Sequence, residues 1–451
     1  MNRFIIADRN TDYLLPPSLS EWLPENHLAL FVAEVISQLD LSELTDHYRG
    51  RGSKAHHPET LLCLLIYGYA TGVFSSRKIE RATYDSIAFR YLAANTHPDH
   101  DTIASFRRRF LPQLESLFVQ VLMFAREMDM FKLGKISLDG TKLKANASKH
   151  KALSYQHLQK IEQQVKAEVA ALTAQAEAVD STPINDGMDI PSEIARREDR
   201  LNVMADAKKK IEARAQERFE HEQAKYQEKI DKREALRVSG KNPRGREPVA
   251  PSPEPLGKEQ VNLTDEESRI MPVSGGGFEQ CYNAQSSVDA ETMLVMATHV
   301  SQASNDKNEI VRALEALNKL PSELGTVEHL LGDTGYFSAA NVAACEQAKI
   351  IPSLASGREK HNLPPEARFA ADTPPPDTDD PVELMKHRLT TQAGRALYGL
   401  RKQTVEPVFG IIKQVMGFRQ FTMRGIEKVT GEWTLVNLAW NIKRMNRLKI
   451  A

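Results

Sequence analysis

The chain has 451 residues, of which 41% are hydrophobic and 26% charged, with a formal net charge of −1. Ordinary domain sizes make this roughly two or three globular domains with room for a sizeable core. The near-neutral total excludes neither nucleic acid nor any other partner, because an acidic segment masks a basic one. Three cysteines far apart, Cys63, Cys281 and Cys345, exclude a zinc-knuckle spacing and a disulfide framework and point to a reducing cytoplasm. The start "MNRFIIADRNTD" meets Asp8, Arg9 and Asp12 too early for a signal peptide. The apolar run Thr60 to Phe74 is shorter than the ~20 residues a bilayer takes, so no membrane association is expected.

From about Trp22 to Met130 the apolar residues recur at helical spacing in successive blocks. They predict an all-helical domain over 1–132, with Pro58 at a first helical position and Ser75 or Ser76 as a cap. The turn "NTHPDHDT" opens a last long helix, "HDTIASFRRRFLPQLESLFVQVLMFAREM". On it Ile103, Phe106 and Phe110 share an inward face and leave Arg108 and Arg109 outward. "KISLDGTKLKANAS" (Lys135 to Ser148) follows as a strand, assigned to 133–150, that ends on one isolated acid, Asp139. A turn residue explains that acid, since Asp-Gly commonly finishes a strand, and so does a ligand.

Over 151–260 the chain turns to long, charged helical stretches with sparse apolar positions, split by "DSTPINDGMDIPSE". They predict a hairpin or loose coiled coil, followed by a disordered linker from Val238 to Lys258. In 261–451 the period changes to two. "CYNAQSSVDAETMLVMATHV" reads as two strands joined at "DAET", "NDKNEIVRALEALNKL" as a capped helix, and "VEHLLGDTGYFSAANVAACEQAKIIPSL" as strand, turn, helix, strand. Strands alternating with helices call for an α/β layer.

A second acid, Asp333, ends "VEHLL" ahead of "TGYFS", much as Asp139 precedes its glycine. A third candidate, Glu406, sits in the basic, apolar stretch "YGLRKQTVEPVFGIIKQVMGF". Carboxylates converging from separate elements suit hard cations such as Mg²⁺, and two such ions ~3.5–4 Å apart promote in-line phosphoryl displacement.

The order of an Asp on a first strand, "YNAQSSVD" on the next, "LLGDTGYFS" later and "VEPVFGIIK" on a late helix resembles the bacterial insertion-sequence transposases with an RNase H-like core and an Asp-Asp-Glu site. The N-terminal blocks "HHPETLLCLLIYGYATG" and "PDHDTIASFRRRF" resemble their helical domain, so the likeness covers nearly the whole chain. It implies an α/β RNase H-like catalytic core, an all-α N-terminal DNA-binding domain and a coiled-coil-like helical insertion. It implies Asp139, Asp333 and Glu406 as catalytic residues holding two Mg²⁺ or Mn²⁺. DNA ends and target DNA are the implied substrates, with a homodimer in the synaptic complex and a cytoplasmic, nucleoid-associated location. The family's late-helix signature falls on Tyr398, Arg401, Glu406 and Lys413. Either Arg401 or Lys402 fills the arginine's place, because four residues rather than the usual three separate Arg401 from Glu406.

Plainer readings stand beside these. Tyr398, Arg401 and Lys413 also suit a solvated helix face, as do Arg107, Arg108 and Arg109, whose other reading is a phosphate clamp. Lys413 lies seven positions after Glu406, two turns on and on one face. Pro407 marks either a helix start or a kink. Glu427 and Glu432 rival Glu406 as third ligand. "HPDHD", His56 and His57 read as turn and cap. Trp433 reads as the core of a terminal helix edged by Lys443, Arg444, Arg447 and Lys449. The implied function is a DNA transposase that cuts transposon ends and joins their 3′-hydroxyls to target DNA. Its rivals are a metal-dependent nuclease without strand transfer and an inactive DNA-binding derivative.

Overall fold

The computed structural model describes residues 18–48, 55–179, 190–240, 242–243, 245–273, 275–357 and 372–450. The opening segment read against a signal peptide, and the hairpin connection "DSTPINDGMD", lie outside them. The chain divides into two compact units, residues 1–144 with 282–451, and residues 145–281.

The first unit begins with helices α1 (Leu28–Ser37), α2 (Ser42–Thr45), α3 (Pro58–Thr71), α4 (Ser76–Asp85), α5 (Ile87–Leu92), α6 (His100–Arg109) and α7 (Leu114–Glu127). The punctuation of α3 follows from its sequence. Pro58 opens it, His57 Nδ1 accepts from the Glu59 amide at 3.3 Å, and Gly72 closes it at φ +86°. Leu61 to Ala70 are all buried, which makes α3 a core helix. Ser75 is the N-cap residue of α4. The single long helix expected from "HDTIASFRRRFLPQ…" is instead two, α6 and α7. Pro112 falls between them, and a proline inside a helix removes an amide donor and clashes with the preceding turn.

The sheet of this unit has the order β6–β5–β1–β7–β8, from β1 (Leu133–Lys144), β5 (Phe278–Asp289), β6 (Val295–Ser301), β7 (Gly325–Gly332) and β8 (Ile351–Leu354). The strands expected around "DAET" are β5 and β6, an antiparallel pair. Lys135 O accepts from Ala290 N and Gln280 O from Ala145 N, so β5 and β1 also run antiparallel. The pairs β1/β7 and β7/β8 are parallel. Helices α10 (Glu309–Asn318) and α11 (Ala339–Gln347) supply the crossovers. Then come α12 (Pro381–Thr390), α13 (Gln392–Gly410), a π-helical turn at Ile411–Val415, and α14 (Ile426–Ile450).

Helix α14 is fastened to the sheet by side chains seven and eight positions apart, two turns on along one face. Trp433 Nε1 donates to Gln285 O at 2.9 Å, Trp440 Nε1 to Met293 O at 2.9 Å, and Asn441 brackets both backbone groups of Val295. Trp433 is fully buried, as its position predicts. The expected basic outer edge is only partly an edge. Lys443 Nζ donates to Ala70 O and Arg444 Nε to Thr292 O, each at 2.7 Å, because carbonyls at a helix end and at the β5–β6 turn need donors. Arg447 and Lys449 are exposed.

The second unit contains β2 (Ala152–Ser154), α8 (Tyr155–Val179), α9 (Ile190–Val238), β3 (Gln260–Asn262) and β4 (Arg269–Pro272). Its two helices pack through a small apolar cluster of Leu158, Val165, Met204, Ala207, Ile211 and Val261. It extends beyond the expected 151–260, because β2 pairs with β3, and β4 pairs with the first residues of β5. Val238 to Lys258, expected as a disordered linker, is irregular where described but held along α9. Arg218 donates to Glu254 O, Arg233 to Arg246 O, and Arg237 to Glu247. Arginines on a long exposed helix thus hold the segment through two backbone carbonyls and one carboxylate.

Candidate active site

Parallel pairing sets the two aspartates side by side. Ile136 pairs with Leu330 and Ser137 with Leu331. Two residues farther along each chain, the same register brings Asp139 and Asp333 to one level. Asp333 follows the last residue of β7, and its Oδ1 accepts from Gly335 N at 2.8 Å. Asp139, expected at a strand end, is inside its strand: β1 runs on to Lys144 because its other edge is still paired to β5. Gly140 is accordingly a strand residue and not a turn, and its amide donates to Asp139 Oδ1 at 2.8 Å. Burial pushes the Asp139 carboxyl up to about 6. The Gly140 amide and Arg401 oppose that rise, while the charges of Asp333 and Asp306 add to it.

Glu406 comes from α13, which passes through Pro407 without starting there. Arg401 ties it to the aspartates. Its Nη2 is 3.1 Å from Glu406 Oε1 and its Nη1 3.4 Å from Asp139 Oδ2. The Arg401 side chain is 11% exposed and Glu406 51%. Lys402, the alternative for the arginine's place, is exposed, so Arg401 is the one that meets the acids. Tyr398 is half-buried one turn before Arg401. Lys413 lies in the π-helical turn, whose i→i+5 bonding departs from the 3.6-residue period on which the expected two-turn spacing from Glu406 rests.

The rival glutamates are elsewhere. Glu432 is fully buried and accepts from Tyr69 Oη at 3.0 Å, Thr422 N at 2.9 Å, Met423 N at 3.1 Å and Thr422 Oγ1. That is a structural hub, satisfied by hydrogen bonds as a buried carboxylate must be. Glu427 is exposed in the first turn of α14.

One acid at the site was not singled out in the sequence. Asp306 Oδ1 accepts from Asn283 Nδ2 and Gln285 Nε2, each at 2.7 Å, and lies 3.3 Å from Lys142 Nζ. Its signal was the polar content of β5, where Asn283, Gln285, Ser286 and Ser287 are all buried and need partners.

The three arginines of α6 separate. Ile103, Phe106 and Phe110 are buried while Arg108 and Arg109 are exposed. Arg107 Nη1 donates to Tyr69 Oη at 2.9 Å and to Phe74 O at 3.0 Å, which makes it an internal strut. Arg109 donates to His47 O at 3.1 Å, with its guanidinium over the rings of Tyr48 and Phe110. Arg108 bonds only to Ser105, on its own helix, among the described residues. His57 and Asp99 are helix caps.

The donor set suits a hard divalent cation, since every candidate ligand is a carboxylate oxygen and half-buried Asp139 lies against like charge. Among the described residues, however, no three His, Cys, Asp or Glu side chains stand ready around one point, and Glu406 is turned onto Arg401. No described helix is long and apolar enough to cross a membrane. A family model described as a transposase domain (DUF772) matches residues 17–109, and one described as a transposase DDE domain matches residues 374–446. The second covers Tyr398, Arg401, Lys402, Glu406 and Lys413, while Asp139 and Asp333 lie outside both matches. No curated protein and no solved structure matches. Both matches are to transposase domains, one at each end of the chain, and together they support an insertion-sequence transposase of the DDE type.

Proposed function

We propose that Asp139, Asp333 and Glu406 are the acidic triad of an RNase H-like core that cuts transposon ends and joins the freed 3′-hydroxyls to target DNA. The observation that carries this reading is the β1/β7 register, which brings Asp139 and Asp333 level, with Arg401 linking Asp139 to Glu406. The three carboxylates would hold two Mg²⁺ or Mn²⁺, which supply Lewis-acid activation of the attacking oxygen and stabilisation of the leaving one. Arg401 pairs with both Asp139 and Glu406 and so balances part of their charge. The sheet, with three antiparallel strands followed by two parallel ones, supports the RNase H-like reading. DNA backbone contacts fall to exposed basic residues, Arg108 and Lys402 among them, and the synaptic complex is a homodimer.

The test uses labelled DNA carrying the element's ends. Asp139→Asn and Asp333→Asn should abolish cleavage while mobility-shift binding persists, because a lost ligand charge removes cations but not the helical DNA-binding surface. Equal loss of binding and cleavage overturns the site. Cleavage by the wild type with no joined product, given supercoiled target DNA, replaces the transposase mechanism with a nuclease one.

A further inference from the structure

Both site aspartates precede a glycine, Gly140 directly and Gly335 two residues on, and the same third acid lies near both glycines, closely at Gly140 and at ordinary contact distance at Gly335. A Cβ on Gly140 would lie 2.9 Å from Asp306 Oδ1 and overlap the Gln285 amide. A Cβ on Gly335 would lie 2.9 Å from Asp333 Oδ1 and 3.7 Å from Asp306 Oδ2. Asp306 therefore stands between the two segments that carry the site acids.

Its fastening is directional. Oδ1 takes Lys142, Asn283 and Gln285, while Oδ2 takes no hydrogen bond among the described residues and is the oxygen nearer Gly335. Gln285, so held, accepts the Tyr336 hydroxyl on its Oε1 at 2.5 Å. Tyr336 is fully buried in the 3₁₀ turn that Asp333 caps. A second strap runs beside the first: Asn341 Nδ2 donates to Lys307 O and to Tyr336 O, each at 2.7 Å, clamping the Asp306 loop to that turn. The backbone of Gln285 is fixed in turn by Trp433 of α14.

We propose that Asp306 is a positioning residue for the acidic pair, holding Gln285 and, through the Tyr336 hydroxyl, the turn on which Asp333 is mounted. This rests on the proposed role of Asp139 and Asp333 in binding cations. A carboxylate is the side chain that fits, because Lys142, Asn283 and Gln285 all present donors to it. Asn at position 306 keeps the shape but presents donors of its own and loses the Lys142 ion pair, so the straps loosen without leaving a void.

The experiment is a titration of the full-length protein with MnCl₂ alone, without DNA, read as the rise in melting temperature. The wild type should be stabilised by Mn²⁺, and Asp139→Asn and Asp333→Asn should not. Asp306→Asn should melt within about 3 °C of the wild type without cation. It should need about 10–100 times more Mn²⁺ for half its stabilisation, the usual cost of losing a partner that orients a ligand. Tyr336→Phe, which cuts only the hydroxyl link, should shift the midpoint the same way by less. A wild-type midpoint in both variants overturns the inference, whatever their stability without cation. If instead Mn²⁺ fails to stabilise the wild type, or stabilises Asp139→Asn and Asp333→Asn equally, the cation-site reading itself falls, and the inference with it.

Discussion

The two units of this chain are built on different economies of sequence. In the sheet-bearing unit, residues distant in sequence meet because strand register makes them meet: Asp139 and Asp333 are level through β1/β7 pairing, and Glu406 arrives on a later helix. The inserted unit is local. Its helices α8 and α9 share one small apolar cluster and otherwise rely on exposed ion pairs such as Lys166–Glu162 and Lys232–Glu228, each worth only ~0–1 kcal/mol. The excursion leaves after Lys144 and returns at Tyr282, and Ala145 N bonds to Gln280 O where its ends meet. It stands where β1 and β5 would otherwise need only a hairpin connection. An insertion between hydrogen-bonded neighbours costs the sheet little, since closure entropy grows only logarithmically with loop length. Chemistry thus sits where register is rigid, and length is added where closure is already made.

The largest effect that tests this contrast is on activity. Glu406→Gln should lower end cleavage by at least about 10²-fold. Its cation-free melting temperature should barely move, because a half-exposed glutamate in one ion pair carries little stability. Cleavage near the wild-type rate would separate Glu406 from the aspartates and leave the sheet unit with two acids instead of three.

A stability effect comes next, in the other unit. Leu158→Ala or Ile211→Ala removes a side chain about 1% exposed from a cluster of six and should cost about 2–5 kcal/mol. The thiols report where the loss falls. Burial pushes Cys63 and Cys345, in the sheet unit, up to about 12, and Cys281, in the inserted unit, is fully buried. Iodoacetamide at pH 8 should therefore label none of them in the folded protein. In the two variants under mild urea, Cys281 should react first. Equal acceleration at all three cysteines would mean that the units unfold together.

A smaller loss follows from Glu432→Leu, which strands the Tyr69 hydroxyl and the Thr422 and Met423 amides and should cost about 1–3 kcal/mol. Below its lowered melting transition the variant should still cleave. A cleavage defect without a stability loss would revive Glu432 as a site residue.

How much of this was legible before the structure depended on the range of the interaction. Pro58, the Ser75 cap and the β5–β6 turn were readable because their chemistry is local. The α6–α7 break was missed because unbroken helical periodicity on both sides outweighed a single proline, Pro112. Asp139 and Asp333 stood out as lone acids beside glycines, but the reason given for those glycines was a turn, whereas at Gly140 it is the approach of Gln285 and Asp306. Asp306 lies in the polar run "SNDKNE", where any acid resembles a helix cap. Its position depends on where β6 delivers the chain relative to β1 and β7, which no local pattern encodes. Arg401, read as a DNA contact or a solvated face, is largely buried against the acids, because its partner in sequence is Glu406 and its partner in space is Asp139.

The smallest effect separates the three arginines of α6, of which the sequence placed Arg108 and Arg109 outward but gave no partner to any. Arg107→Ala should act on stability, by breaking the strut to Tyr69 and Phe74, and Arg109→Ala on both stability and surface charge. Arg108 bonds only within its own helix among the described residues, so Arg108→Ala is the clean probe of DNA contact. If it holds a phosphate, binding should weaken alike on end DNA and random DNA, and the slope of log K against log salt should fall by about 1. Isotherms at four or more salt concentrations on both DNAs measure this. Weakening confined to end DNA would make Arg108 a reader of bases. An unchanged slope would place the DNA contacts of this unit on another face of the helices, since Arg107 and Arg109 are already committed to partners within the fold.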